Sequence, residues 1–221
     1  MQFPDSYFEE EVRDGFYVSS KMKCCWASQL EVLAIIDRIC KKHNIQYFAE
    51  WGTLLGCIRH GGFIPWDDDM DIAMKRMDYE KFQKIVEAEL PEGYTILWYS
   101  SDENYWDVMM RVINNNFMSF EPEFLDAFHN CPYPTGIDIF PLDYVTNNKE
   151  EEAIQKELVE LVKTVADTNG QGHLKEDELD RLLDYIEELT HQKIKREGNI
   201  KNQLYKLLTA LYALYGEEDG D

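Results

Sequence analysis

Asp69 and Asp71 are separated by one residue at the start of Met-Asp-Ile-Ala-Met, residues 70–74, a run that alternates as a half-buried strand does. A period of 2 then puts both carboxylates on one face of a predicted strand, with Met70 and Ile72 turned to the other. Two like charges that close require a proton or a cation between them. Carboxylate oxygens are the donors that Mg²⁺ or Mn²⁺ prefers, and both ions leave positions open for phosphate oxygens. Asp138, flanked by Ile137 and Ile139 in Gly-Ile-Asp-Ile-Phe, supplies a third carboxylate in an apolar setting. An unpartnered charge there is costly, so a metal or a hydrogen-bond network is expected. The competing reading is a solvated acidic edge, or carboxylates held by Lys75, Arg76 or Arg111. A calcium loop starting at Asp67 fails on spacing, with Ile72 where glycine is needed and Asp78 where glutamate is needed.

Upstream, Gly52 and Thr53 sit where a strand gives way to a helix. Glycine lets a phosphate approach the backbone, and a helix start with a hydroxyl offers donors to an anion. The same pair is also an ordinary helix cap. Arg59 and His60 end that short helix, where a cation can meet a phosphate or only favour the dipole. Lys75 and Arg76 follow the acidic strand and can neutralise a diphosphate or balance the acids. Trp51, Phe63 and Trp66 are placed in the core in preference to stacking on a base. His173 and His191 have no ligand partner at metal spacing and are read as surface residues.

The elements that must position these groups follow from periodicity. A helix is predicted over 21–43, with Leu30, Leu33, Ile36 and Ile39 on one side, then a strand over 45–51. Thr53 caps a helix that runs to His60 and stops at Gly61 and Gly62. Asp78 caps a second one carrying Phe82, Ile85, Val86 and Leu90, until Pro91 breaks it. Extended runs are predicted at 94–100, 106–113 and 136–140. From residue 149 onward the chain reads as three amphipathic helices without a proline. These patterns give an α+β fold, with a core over 1–145 and a C-terminal helical region over 146–221 packed on it.

Composition narrows the function. The chain has 221 residues, 44% hydrophobic and 13% aromatic, enough for a core and too apolar for a disordered segment. Forty-three acidic residues against 22 basic ones leave a net charge of −21, which repels nucleic-acid backbones. No run reaches the roughly 20 apolar residues of a membrane span. The first residues lack a secretory signal, so a cytoplasmic protein is expected. Five cysteines without a Cys-x-x-Cys pair read as buried or incidental thiols of a reducing compartment. No serine-hydrolase, P-loop or dinucleotide-binding motif occurs.

The run from Gly52 to Met74, Gly-Thr-Leu-Leu-Gly-Cys-Ile-Arg-His-Gly-Gly-Phe-Ile-Pro-Trp-Asp-Asp-Asp-Met-Asp-Ile-Ala-Met, resembles the signature of the LicD family. So does Asp-Tyr-Glu-Lys-Phe from Asp78 to Phe82, and Ile-Asp-Ile-Phe-Pro-Leu-Asp from Ile137 to Asp143 is similar to that family's second block. LicD proteins are related to fukutin and fukutin-related protein within the nucleotidyltransferase-fold superfamily. The resemblance implies a mixed sheet with flanking helices. It also implies a divalent-metal-dependent transfer of a phospho-alcohol from a CDP-activated donor to a glycan hydroxyl. Known acceptors are lipopolysaccharide or teichoic acid for phosphocholine, and eukaryotic relatives move ribitol phosphate. By resemblance, Asp69, Asp71 and Asp138 take the metal-binding and catalytic positions, with Mg²⁺ or Mn²⁺ as cofactor. Gly52 and Thr53 take the donor-phosphate position, Arg59 matches a signature arginine assigned to the diphosphate, and Asp67 and Asp68 order the loop. Family members often continue past the helical part into an extended segment and a tyrosine- and glycine-rich end, whereas this sequence stops after Leu211-Tyr-Ala-Leu-Tyr-Gly-Glu-Glu-Asp, which bears on the acceptor side. The alternatives are a nucleotidyltransferase attacking the α-phosphorus of an NTP, and a non-catalytic nucleotide-binding relative.

Overall fold

The computed structural model describes residues 1–102 and 104–220. Contacts divide the chain into two compact units, Met1–Leu97 with Met109–Leu142, and Trp98–Val108 with the chain from Asp143 onward.

In the first unit a hairpin of β1 (Glu11–Arg13) and β2 (Phe16–Val18) leads into the long helix α1 (Ser20–His43). The Ser19 hydroxyl accepts the Met22 amide at 3.2 Å to start α1, and Asn44, in the left-handed region at φ 51°, ends it. Its buried stripe is Trp26, Val32, Ile36 and Ile39, while Leu30 and Leu33 are only half-buried. Then come β3 (Phe48–Ala49), α2 (Trp51–His60), β4 (Asp71–Lys75), α3 (Arg76–Glu89), β5 (Thr95–Leu97), β6 (Met110–Ile113), α4 (Pro122–Ala127) and β7 (Gly136–Leu142). The strands form one mixed sheet in the order β3-β4-β7-β6-β5, parallel only between β4 and β7. The fold is therefore α+β, as the sequence patterns require.

Alternation along the three central strands sorts their side chains. Ile72 and Met74 of β4, Ile137 and Ile139 of β7, and Met110 and Val112 of β6 are at most 1% exposed. They share one face, and α1 and α3 pack on these strands. The opposite face carries the polar row described below.

Several boundaries differ from the sequence expectation. The strand at 45–51 shrinks to Phe48–Ala49, because Glu50 already caps α2. Helix α3 begins at Arg76 rather than at Asp78, whose carboxylate instead accepts the Gln46 amide at 3.1 Å. The β1–β2 hairpin and α4 are too short for periodicity to reveal.

The second unit consists of α5 (Lys149–Gly170), α6 (Glu176–Thr190) and α7 (Ile200–Tyr212) around a core that includes Val162, Val165, Leu183, Ile186, Leu204 and Leu208. The segment 98–108 joins it through Asn202, whose amide donates to the Tyr99 and Tyr105 carbonyls at 2.9 and 2.7 Å. Among the described residues no helix is long and apolar enough to cross a membrane.

Candidate active site

The first turn of α2 is stitched to the start of β4. The Glu50 amide donates to the Asp71 carbonyl at 3.1 Å, and the Asp71 amide donates to the Thr53 hydroxyl at 2.8 Å. Thr53 therefore does not cap its own helix; it fixes the backbone of the acidic strand. Gly52 has a comparable task, since a Cβ built on it would lie 2.2 Å from Oδ2 of Asp67. The space that sequence reasoning reserved for a phosphate beside Gly52 is filled by the Asp67 carboxylate.

The loop between α2 and β4 is held from α1. Indole Nε1 of Trp26 donates to the Asp67 carbonyl at 2.8 Å, and the Gln29 amide donates to the Asp68 carbonyl at 2.6 Å. Both anchors sit on the buried side of α1, where sequence reasoning saw only packing. Their signal is a polar-tipped pair one turn apart within an apolar stripe. With the loop backbone tied down, Asp67, Asp68 and Asp69 each turn one carboxylate oxygen toward a common point, all within 4.8 Å of one another. Asp69 belongs to this loop and not to the strand, which starts at Asp71. Its proximity to Asp71 is thus a loop geometry and not a strand alternation. Asp67 joins the acidic group directly, in addition to the loop-ordering role expected of it.

Across the sheet, Asp71 of β4 lies in register with Asp138 of β7, and Asp138 with Arg111 of β6. Neighbours in register share a face, so two carboxylates and a guanidinium form one row. Asp138 is 7% exposed, and Arg111 donates to both of its oxygens through Nε and Nη2. Of the partners left open for Asp138, the structure supplies Arg111. The Asp71 carboxyl is pushed up to about 6 by burial first, then by the charges of Asp69, Asp138 and Asp67, with Arg111 opposing. Burial and the Asp69 carboxylate raise Asp67 as well. The cluster is short of positive charge, and its donors are all hard oxygens. These residues fit Mg²⁺ or Mn²⁺.

Two cavities border Asp69. The smaller, about 280 Å³, is lined by Tyr7, Lys23, Trp26, Gly52, Phe63 and Asp67. The larger is an open cleft of about 640 Å³ lined by Lys21, Gln29, Asp68, Arg111, Tyr133 and Asp138. Arg59 and Lys75 line neither. Arg59 is seven residues along α2 from Gly52, roughly 10 Å at 1.5 Å per residue, and it is exposed, donating to His60 at 2.7 Å. Lys75 is four residues along β4 from Asp71, roughly 13 Å at 3.3 Å per residue, and is also exposed. The structure does not bring these two cations to the acidic group. Trp51 and Trp66 are 65% and 52% exposed rather than in the core, whereas Phe63 stacks on Trp26 at 4.8 Å. His173 and His191 are exposed, as expected of surface residues.

Known proteins share part of this sequence. The chain is 42% identical over 120 residues to the lipopolysaccharide cholinephosphotransferase LicD of Haemophilus influenzae, covering 53% of this chain and 43% of that protein. It is 32% identical over 66 residues to the human ribitol 5-phosphate transferase FKRP, covering 30% of this chain and 13% of the relative. A 55-residue stretch is 49% identical to an uncharacterized protein of Rickettsia typhi, covering 25% and 18% of the two chains. The matches thus span less than half the length of each of these relatives. The profile described as LicD/FKTN/FKRP, nucleotidyltransferase domain, matches residues 44–157, a stretch that contains α2, the acidic loop, β4, Arg111 and Asp138. The chain belongs to the LicD/FKTN/FKRP nucleotidyltransferase-domain family.

Proposed function

We propose that this chain transfers a phospho-alcohol, phosphocholine or a close analogue, from a CDP-activated donor to a hydroxyl group of a glycan. The observation that carries the reading is the acidic loop Asp67–Asp69 beside Asp71, which is in register with Asp138 and Arg111 at the lip of the larger cleft. The named activities of the Haemophilus and human relatives support the same class of transfer, and the Haemophilus name, which includes lipopolysaccharide, supports a glycan acceptor.

Asp69 and Asp71, with Asp67, Asp68 and Asp138 beside them, would hold Mg²⁺ or Mn²⁺. When bound, the ion neutralises the donor diphosphate and the charge that develops on the leaving CMP. Arg111 lines the cleft with its Nε and Nη2 held by Asp138, which fixes its positive charge where phosphate oxygens of the donor would lie. A carboxylate of the cluster accepts the acceptor hydroxyl's proton as that oxygen attacks the β-phosphorus. Gly52 and Thr53 act one step removed from the substrate, by shaping the loop that carries the acids.

Thermal denaturation with CDP-choline, CDP-ribitol, CDP-glycerol, CTP and a UDP-sugar, each with Mg²⁺, Mn²⁺ or EDTA, tests this reading. A ligand at 100 times its dissociation constant adds about 2.7 kcal/mol. Stabilisation by one CDP-alcohol that EDTA abolishes is the expected result. A larger effect of CTP, with pyrophosphate released on turnover, would assign nucleotidyl transfer instead. Absence of any shift would defeat both activities and leave a non-catalytic relative.

A further inference from the structure

We infer that Cys25 and Cys131 form a thiol oxidation site on the wall of the larger cleft, closing to a reversible disulfide when a hydroperoxide enters. Both are free thiols, and their sulfurs lie 3.2 Å apart although the residues are 106 positions apart in sequence. Cys25 is half-buried on the first turns of α1 and lines the cleft with Lys21, Asp69 and Arg111. Cys131 is fully buried in the segment between α4 and β7, and its sulfur also lies 3.9 Å from the Tyr133 carbonyl.

The surroundings hold the two sulfurs together from both sides. Ser28 and Thr135 share a hydroxyl hydrogen bond at 2.6 Å one turn along α1. Asn114 bridges them, accepting the Thr135 amide at 2.9 Å and donating to Ser28 at 3.3 Å. Further along α1, Glu31 meets His129 at 2.8 Å, so the two anchors flank Cys131 on its own segment. A pair fixed this way reacts as one unit, because no chain motion has to bring the second sulfur in. The hydrogen bond from Cys25 holds the Cys131 thiol below its ordinary value, and the Lys21 charge acts in the same direction.

The chemistry balances with the hydroperoxide as oxidant. The Cys131 thiolate accepts the Cys25 thiol proton as the Cys25 sulfur attacks the peroxide oxygen, and it returns that proton to the departing oxygen. The O–O bond breaks, the alcohol or water leaves with a proton, and Cys25 becomes a sulfenic acid. The Cys131 sulfur then attacks that of Cys25, and the hydroxide expelled leaves as water. Two thiols and one hydroperoxide give one disulfide, one alcohol (or water) and one water. The bond ties α1 to the segment that feeds Asp138 into β7.

The test treats the full chain with hydrogen peroxide, alkylates the remaining thiols and maps the peptides by mass. The expected product is an intramolecular Cys25–Cys131 link, lighter than the dithiol by about 2 Da and reversed by dithiothreitol. It forms in Cys24→Ser and is absent in Cys25→Ser. The latter replaces a half-buried helix residue, so its folding is checked by circular dichroism before the result is read. Cys57 is exposed and serves as the internal reference. Oxidation of Cys57 while Cys25 and Cys131 remain thiols, or a link from Cys24 instead, would overturn the inference.

Discussion

Replacing Asp71 by asparagine removes one charge from an over-crowded cluster, and the structure gives the sign of the effect. The Asp71 carboxyl rises from an ordinary 3.8 to about 6 in the folded chain. Its protonated form is therefore favoured by folding, and its ionised form opposes it. Well below pH 3.8 both folded and unfolded chains carry it protonated, and it costs nothing. As pH rises from about 4 through about 6 the penalty develops, and above that it is complete. Fully transmitted, such a displacement is worth about 3 kcal/mol; for a half-buried carboxyl in contact with solvent, screening reduces this to about 1 kcal/mol. Urea denaturation in EDTA should find Asp71→Asn and the parent alike at pH 4 relative to their own baselines. At pH 8 the variant should be more stable by about 1 kcal/mol, or about 2–4 °C in Tm for a chain of this size. Added Mn²⁺ should then reverse the order, stabilising the parent and not the variant. A stability difference that is flat with pH would refute the repulsion argument. An equal gain from Mn²⁺ in both proteins would refute Asp71 as a ligand.

Three further substitutions probe the scaffold beneath the acids. Gly52→Ala places a methyl 2.2 Å from the tip of the Asp67 side chain, so the carboxylate must swing aside; this should cost at most about 1 kcal/mol but weaken the Mn²⁺ response in the same thermal assay. Thr53→Val should lose about 1–2 kcal/mol by orphaning the Asp71 amide, while Thr53→Ser stays near the parent; equal losses in both would show that the hydroxyl is not the cause. Arg111→Met leaves Asp138 buried without its fork of donors. A fully buried pair would lose about 3–5 kcal/mol, and with the Arg111 side chain 43% exposed about 2 kcal/mol is expected in urea melts. Adding Asp138→Asn should recover part of that loss, and failure to do so would refute the pairing.

The residue types of the site were legible because they violate local rules: three consecutive aspartates before a fourth on a strand, and an aspartate between isoleucines. Helices α1, α5, α6 and α7 were legible because their apolar stripes are long enough for a 3.6 period to show. The β1–β2 hairpin and α4 offered too few positions for any period, and β3 proved shorter than the 45–51 strand expected there. Two cations stand apart from the acids for a related reason. Arg59 and Lys75 are near the acids in sequence, but a helix carries one roughly 10 Å away and a strand the other roughly 13 Å. Arg111, distant in sequence, arrives next to Asp138 because β6 and β7 pair in that register.

By itself, then, the sequence determined which chemistry was available: hard oxygen donors in excess, a short helix in front of them, and a family signature spanning both. Only the tertiary structure decided what each group touches. It filled the space at Gly52 with Asp67, turned Thr53 toward the Asp71 amide and put Asp69 in the loop. It also brought Cys25 to Cys131. Each of these is a contact between segments that local propensity cannot relate. Strand register and the packing of α1 fix them together, because a one-residue slip would send every side chain of the row to the other face.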